Sequence, residues 1–310
     1  MPVISGEAID VAAFDVDLEL VDFSSISSGA KRPGELCSAG YSNQDVIEIR
    51  DRRGRTRGCI AFEFAQRESP LTTDQRIAFR DDFCRELARL EDWADEYNWV
   101  PAAVSRFDVI VSDRFRISRS LVPGWMGFGG QMEFPRWRVA DRTAAIMHEL
   151  GHVFFPNGNR LLAEGLAIHL QDAIGSNPAF PNFGKPLHDT ARDKLRGLGP
   201  AASLENTLAR FSLGDLDAIA TPSPLTLRVG DTVFGEEPRG QGFIYPLAGS
   251  FVRLLLETRG LEHFRRLYAL TPLVPGAHNA GPAARWDDVY ERAFRELEGD
   301  WKAMIADRGA

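Results

Sequence analysis

Residues 148–152 read His148-Glu149-Leu150-Gly151-His152, and residues 161–167 read Leu161-Leu162-Ala163-Glu164-Gly165-Leu166-Ala167. Two imidazoles four residues apart share one face of a helix, so both can reach a single ion. Zinc favours imidazole nitrogen together with carboxylate oxygen, and a catalytic zinc uses three protein ligands. His148 and His152 are the first two candidates, in an H-E-x-x-H pattern. Glu149 is turned toward the same cleft and is read as the general base, which takes a proton from a metal-activated water. Glu164 is the candidate third ligand. A lone carboxylate among Leu and Ala is buried at a cost unless it is paired or bound to metal. His169 is the rival, on a different helical face. The bland alternative is two surface histidines and a solvent-facing Glu on ordinary helices.

Working outward, the spacing predicts one helix over residues 141–155, stopped by Pro156-Asn157-Gly158. A second begins near Leu161 and fades at Gly175, and the turn between them lets it fold back on the first. Upstream, Ile77, Phe79, Phe83, Leu87, Leu90 and Trp93 follow helical spacing, with Thr73 as the expected cap and Pro101 as the stop. Residues 107–111 read as a short apolar strand, and 123–134 as a Gly- and aromatic-rich stretch ending at Pro135. Downstream, helices are expected over 243–258, 261–270 and 286–305. The first 68 residues read as β-rich. Val16, Leu18 and Leu20 alternate with acids, and residues 46–50 and 59–64 flank Arg53-Gly54 as a hairpin. Residues 24–34 read as a Ser- and Gly-rich loop.

The two segments together resemble the gluzincin metallopeptidases, the group that includes thermolysin and the aminopeptidase N family. The nearer likeness is to compact bacterial peptidases whose metal helix is followed by a W-L-x-E-G-L-A-like segment, where this chain has Arg160-Leu161-Leu162-Ala163-Glu164-Gly165-Leu166-Ala167. A later helix is similar too, Tyr245-Pro246-Leu247-Ala248-Gly249-Ser250-Phe251 with Gly260 and Phe264, as is the run from Phe294 to Trp301. The likeness covers roughly residues 75–305. It implies an α+β, zincin-like, two-lobed metallopeptidase domain over residues 69–310, preceded by the β-rich region 1–68. It also implies one zinc per chain, held by His148, His152 and Glu164, and hydrolysis of a peptide or protein substrate. Tyr245 is the expected oxyanion donor, a phenol at the start of a helix near the cleft. Gly130-Gln131-Met132-Glu133-Phe134 resembles the G-x-M-E-N segment in which the Glu binds a substrate amine. Gly130 and Glu133 are therefore substrate-binding candidates, with an edge strand over 129–134 beside the cleft. The other reading of Glu133 is a solvated residue on that edge strand. Two departures stand out. Only eleven residues separate His152 from Glu164. Ile168 occupies the place of the acid that orients a histidine in thermolysin, leaving Asp172 as the expected substitute.

Composition narrows the field further. The 310 residues carry a formal net charge of -8, which disfavours a nucleic-acid partner. No run of about 18 apolar residues exists, so no membrane span is expected. The N-terminus has no basic, apolar leader, and the chain reads as cytoplasmic. Cys37, Cys59 and Cys84 are too few for a disulfide scaffold, contain no C-x-x-C pair and are expected to be mostly buried thiols. Two rivals to the peptidase reading remain open at this point. One is a catalytically silent zinc-bearing binding protein, against which the intact Glu149 argues. The other is a zinc hydrolase of a non-peptide amide.

Overall fold

The two strands expected to flank Arg53-Gly54 are present as β1 (Asp45–Arg50) paired antiparallel with β2 (Thr56–Ala65), Glu48 opposite Cys59 in register. A computed structural model describes residues 45–50, 56–65, 70–102, 106–122, 130–198, 204–274 and 276–307. The strand expected around Val16–Leu20 and the loop at 24–34 lie outside the described residues. After β2 the chain forms α1 (Thr73–Glu96) and returns as β3 (Arg106–Ser112), parallel to β2. A helix in this position is what a parallel pair requires as its crossover. Thr72, not Thr73, caps α1. Its hydroxyl accepts from the Gln75 N–H, and the Gln75 side chain accepts from the Thr72 N–H in return.

Two further strands complete the sheet. They are β4 (Arg119–Leu121) and β5 (Gln131–Pro135), and the strand order is β1-β2-β3-β5-β4. β5 runs parallel to β3 and antiparallel to β4. The segment expected to be an edge strand is therefore interior, and among the described residues β4 forms the edge. Ile60, Phe62, Val109, Val111, Met132 and Phe134 pack with Phe79, Phe83, Leu87 and Leu90 of α1 in one apolar core. Phe79 meets Phe134 edge-on at 5.5 Å between ring centroids. Ile77, counted in the apolar stripe by its spacing, is exposed, as is Cys84, while Cys59 is buried.

The rest is mostly helical: α2 (Arg136–Ala140), α3 (Ile146–Phe154), α4 (Arg160–Ala173), α5 (Leu187–Arg196), α6 (Leu204–Leu208) and α7 (Gly214–Asp217). The hairpin β6 (Leu227–Val229) and β7 (Thr232–Phe234) precedes α8 (Pro238–Ala269), α9 (Arg285–Tyr290) and α10 (Phe294–Asp307). The helix that carries His148 and His152 opens at Ile146 rather than at Asp141. Asp141 instead ends α2, and Arg142 takes a left-handed φ of 56° that lets the Thr143 N–H return to the Arg138 carbonyl at 2.8 Å. The expected 286–305 helix is two helices, interrupted at Glu291 with φ 56°. The expected 243–258 and 261–270 helices abut across Gly260, whose φ of 76° breaks the ladder. Among the described residues no helix is long and apolar enough to cross a membrane.

Candidate metal centre

The pair α3–α4 is fixed by the turn between them. Asn159 caps α4 by accepting from the Leu162 N–H at 3.0 Å, and its amide donates to the Asp217 carbonyl at 2.8 Å. Asn157 accepts from the Asn159 N–H at 2.9 Å and donates to the Tyr268 carbonyl at 2.9 Å, which ties the turn to the end of α8. Gly158 is required there, since a Cβ would lie 2.7 Å from the Pro272 carbonyl oxygen. The two asparagine amides of the turn thus donate to carbonyls far along the chain.

This turn brings His148, His152 and Glu164 together. The two Nε2 atoms are 3.1 Å apart, and each lies 3.3 Å from Glu164 Oε2. A four-coordinate ion with ligand distances of about 2.0–2.1 Å has neighbouring ligand atoms about 3.3 Å apart. The three atoms therefore already form the face of such a tetrahedron, and the group could hold a metal ion. His148, Glu149 and Glu164 are buried, and among the described residues Glu164 Oε2 faces the two imidazoles alone. Burial opposes charge on Glu164, but His152 and Arg160 outweigh it and hold the carboxyl well below its ordinary range. Burial also opposes charge on His152, and there the Glu164 carboxylate wins and raises the imidazole. The negative potential that draws a proton to His152 is what a dication would meet.

Glu149 lies one residue along α3. Burial raises its carboxyl, partly offset by His148, His152 and a hydrogen bond from Ser120. The Ser120 hydroxyl, on edge strand β4, donates to Glu149 Oε2 at 2.7 Å. Tyr245, on α8, stacks on the His148 ring at 5.2 Å between centroids and 21° between planes. Its phenol lines the cleft beside Glu149 and makes no hydrogen bond among the described residues. Burial, then the Glu164 carboxylate, hold it well above its ordinary pKa, so it stays protonated and can donate.

The other expected residues lie elsewhere. Glu133 is on β5 opposite Arg119, and neighbouring Met132 is opposite Ser120. Alternation along a strand turns Glu133 to the sheet face opposite the one from which Ser120 reaches Glu149. There it is buried, accepting from Arg119 and from the Gln131 amide at 2.6 Å, so it is neither solvated nor directed at the metal cluster. Gly130, with φ 109°, opens β5, and its carbonyl accepts from the Asp108 N–H at 3.1 Å. His169 faces a separate pocket with Asp172, Arg253 and Glu257. Asp172 orients no metal ligand. It accepts from Asn182 at 3.0 Å and pairs with Arg253 at 2.8 Å.

Two contributors were missed at the level of sequence. Ser120 gives no local signal, sitting in a three-residue strand. Arg160 had one, the i,i+4 spacing to Glu164. Its guanidinium lies 3.2 Å from Glu164 Oε1 and 2.8 Å from Glu236 Oε1, and Glu236 also accepts from the Leu225 N–H at 3.0 Å. One carboxylate oxygen of Glu164 thus faces a cation, while the other is left to the two imidazoles. No family model matches the chain, and no curated protein does.

Proposed function

We propose that this protein is a zinc-dependent peptidase, with a zincin-like two-lobed arrangement and a single zinc held by His148, His152 and Glu164. The observation that carries the reading is the near-equilateral set of Nε2, Nε2 and Oε2 atoms, with a buried carboxylate and a free phenol on the same cleft. A structural ion has no use for the last two groups. When bound, zinc supplies the positive charge that polarises a carbonyl and acidifies water. Glu149, with its pKa raised by burial, accepts the proton from water and passes it to the leaving amine. Ser120 holds that carboxylate from the edge strand. The Tyr245 hydroxyl donates to the carbonyl oxygen as negative charge develops on it. With β5 interior, an extended peptide is expected to lie along β4, the edge strand among the described residues, beside Ser120.

The test is a division of labour between ligands and base. Purified protein should carry about one zinc per chain. His148→Ala or His152→Ala should abolish it, and Glu164→Gln should weaken it strongly. Glu149→Gln should keep zinc and lose hydrolysis of a peptide library by about two to four orders of magnitude. Normal zinc in either histidine variant sinks the ligand set. Undiminished hydrolysis in Glu149→Gln sinks the mechanism. Zinc retained by a wild-type protein that cleaves no peptide is the signature of a binding protein or of a hydrolase acting on another amide.

A further inference from the structure

The cleft onto which Glu149 and Tyr245 open has a second wall, built by α2, the turn before α3 and Phe180. The Arg138 guanidinium lies 4.1 Å from the Trp137 ring centroid, 4.5 Å from that of Phe180 and 5.4 Å from that of Phe183. Aromatic rings occupy the faces of a guanidinium and leave its in-plane fork of N–H donors open. No hydrogen bond or ion pair to that fork is present among the described residues. Burial lowers the Arg138 pKa, partly offset by Asp141, an acid that its charge feels without pairing. On the same wall the Thr143 hydroxyl is buried with no hydrogen-bond partner, and the buried Gln241 adds an amide. Ala145 caps α3 with no side-chain hydrogen bond, so the positive end of that helix lies here too.

The wall is held in shape from outside. Asn177 donates to the Ala144 carbonyl at 2.7 Å, and Gln171 donates to the Phe180 carbonyl at 3.0 Å. The turn that carries Thr143 and the residue that stacks on Arg138 are thus held in place, and among the described residues the Arg138 fork and the Thr143 hydroxyl lack acceptors. Of the described residues lining the cleft, Glu149 is the one carboxylate, and the proposed mechanism gives that group to water.

We propose that this wall is a carboxylate-binding subsite, in which Arg138, aided by Thr143 and Gln241, holds an acidic group of the peptide beside the bond being cleaved. This rests on the peptidase reading above. A carboxylate matches the planar fork in a bidentate way, and its single charge balances the half-buried Arg138, while Arg116, the other cation lining the cleft, is exposed. A phosphate dianion would add a surplus negative charge beside Glu149. The carboxylate belongs either to an Asp or Glu side chain or to the peptide C-terminus, and the two sources separate experimentally.

Peptides of one sequence would be compared with Glu replaced by Gln at each position near the cleavage site, and with a free or amidated C-terminus. Wild type should prefer one acidic form by about 10- to 100-fold in kcat/KM, and Arg138→Met should bring that ratio close to one. Loss on Gln replacement identifies a side-chain acid, and loss on amidation identifies the C-terminus. A readout without turnover uses Glu149→Gln protein titrated with three probes, N-acetyl-Glu-amide, N-acetyl-Gln and the neutral N-acetyl-Gln-amide. At least one mono-acid should bind about 10-fold more tightly than the neutral probe, and adding Arg138→Met should erase the difference. Should Arg138→Met not fold, Arg138→Lys and Thr143→Val are milder, and each should cut the acid preference several-fold. Peptide cleavage with no acid preference and no probe difference overturns the subsite and leaves the peptidase reading intact. A preference that survives every one of these variants also overturns it. Probe discrimination without any peptide cleavage upholds the subsite and overturns the peptidase reading.

Discussion

Glu149 is held by a hydroxyl from a strand almost thirty residues earlier, and that contact sets an expectation for each partner. The Ser120 hydrogen bond favours the ionised carboxylate, while burial opposes it. Ser120→Ala should therefore raise the Glu149 pKa further and move the acid limb of the kcat profile to higher pH. It should also lower kcat about 10-fold, the worth of one hydrogen bond to a charged group, with zinc content unchanged. A kcat profile that does not move removes Ser120 from the site. On the proposed mechanism, Tyr245→Phe should cost about two to three orders of magnitude in kcat, since it would remove one oxyanion donor and leave His148, His152 and Glu164 in place. His169 gives a separate expectation. Its pKa is lowered to about 4, mainly by burial and then by Arg253. The unfolded chain, with its histidine near 6.5, binds a proton first as pH falls. His169 thus costs no stability above about pH 6.5 and at most about 3 kcal/mol once pH has fallen through 4. Urea unfolding of His169→Gln should lose part of the slope between pH 6.5 and 4, and an unchanged slope refutes this reading. The His148–His152 pair was legible because helical spacing is local, and Glu164 because a lone carboxylate stood among Leu and Ala. Glu133 was misjudged because whether β5 is interior depends on β4, a partner that spacing within residues 129–134 does not reveal.

Helices α4 and α8 approach most closely where Gly165 and Gly249 lie. A Cβ on Gly165 would sit 2.3 Å from Val252 Cγ2 and 2.9 Å from the Ala248 carbonyl oxygen, and one on Gly249 would sit 2.4 Å from Ile168 Cγ2. Helix propensity alone would reward Gly→Ala by about 1 kcal/mol. Here a backbone carbonyl cannot rotate away, so overpacking of about 1–3 kcal/mol should win and force the helices apart. Gly165→Ala should lower Tm and, by separating Glu164 from Tyr245, lower kcat as well. Gly299→Ala on α10, where nothing lies within 4 Å, is the control and should leave Tm unchanged or raised. Equal thermal shifts in the two variants would refute the close-packing argument. Element existence was readable wherever periodicity ran long, as in α1 and α4. Two boundaries were not, the start of α3 and the break between α9 and α10, because they depend on single backbone angles. Arg142 and Glu291 adopt left-handed φ although neither is Gly or Asn, and nothing in their neighbours' spacing announces it.

At the scale of the whole molecule, the α+β class was legible from a β-patterned start and a helical remainder, whereas strand order was not, because pairing joins segments far apart in sequence. The cluster of His148, His152 and Glu164 joins α3, tied to the sheet through Ser120, with α4, packed on α8. An ion bound there should therefore stabilise the fold as a unit. With zinc at 100 times its Kd the gain is about 2.7 kcal/mol, so chelation should lower Tm by several degrees. The gain should depend on pH with a definite sign. Glu164 raises His152 above the ordinary histidine value. In the metal-free protein that proton contributes stability fully present below the unfolded pKa and lost as pH rises through the folded one. Zinc needs the same imidazole unprotonated, so protons compete with it increasingly as pH falls. The Tm difference between zinc-loaded and chelated protein should then be largest near pH 8 and shrink steadily toward pH 6. Asp172 and His169 lie in a different pocket and should not alter this trend when substituted. Melting curves at pH 8, 7 and 6, with and without chelator, measure it directly. A difference that stays constant over that range would mean that zinc stabilises the protein without His152, and the ligand set would have to be redrawn.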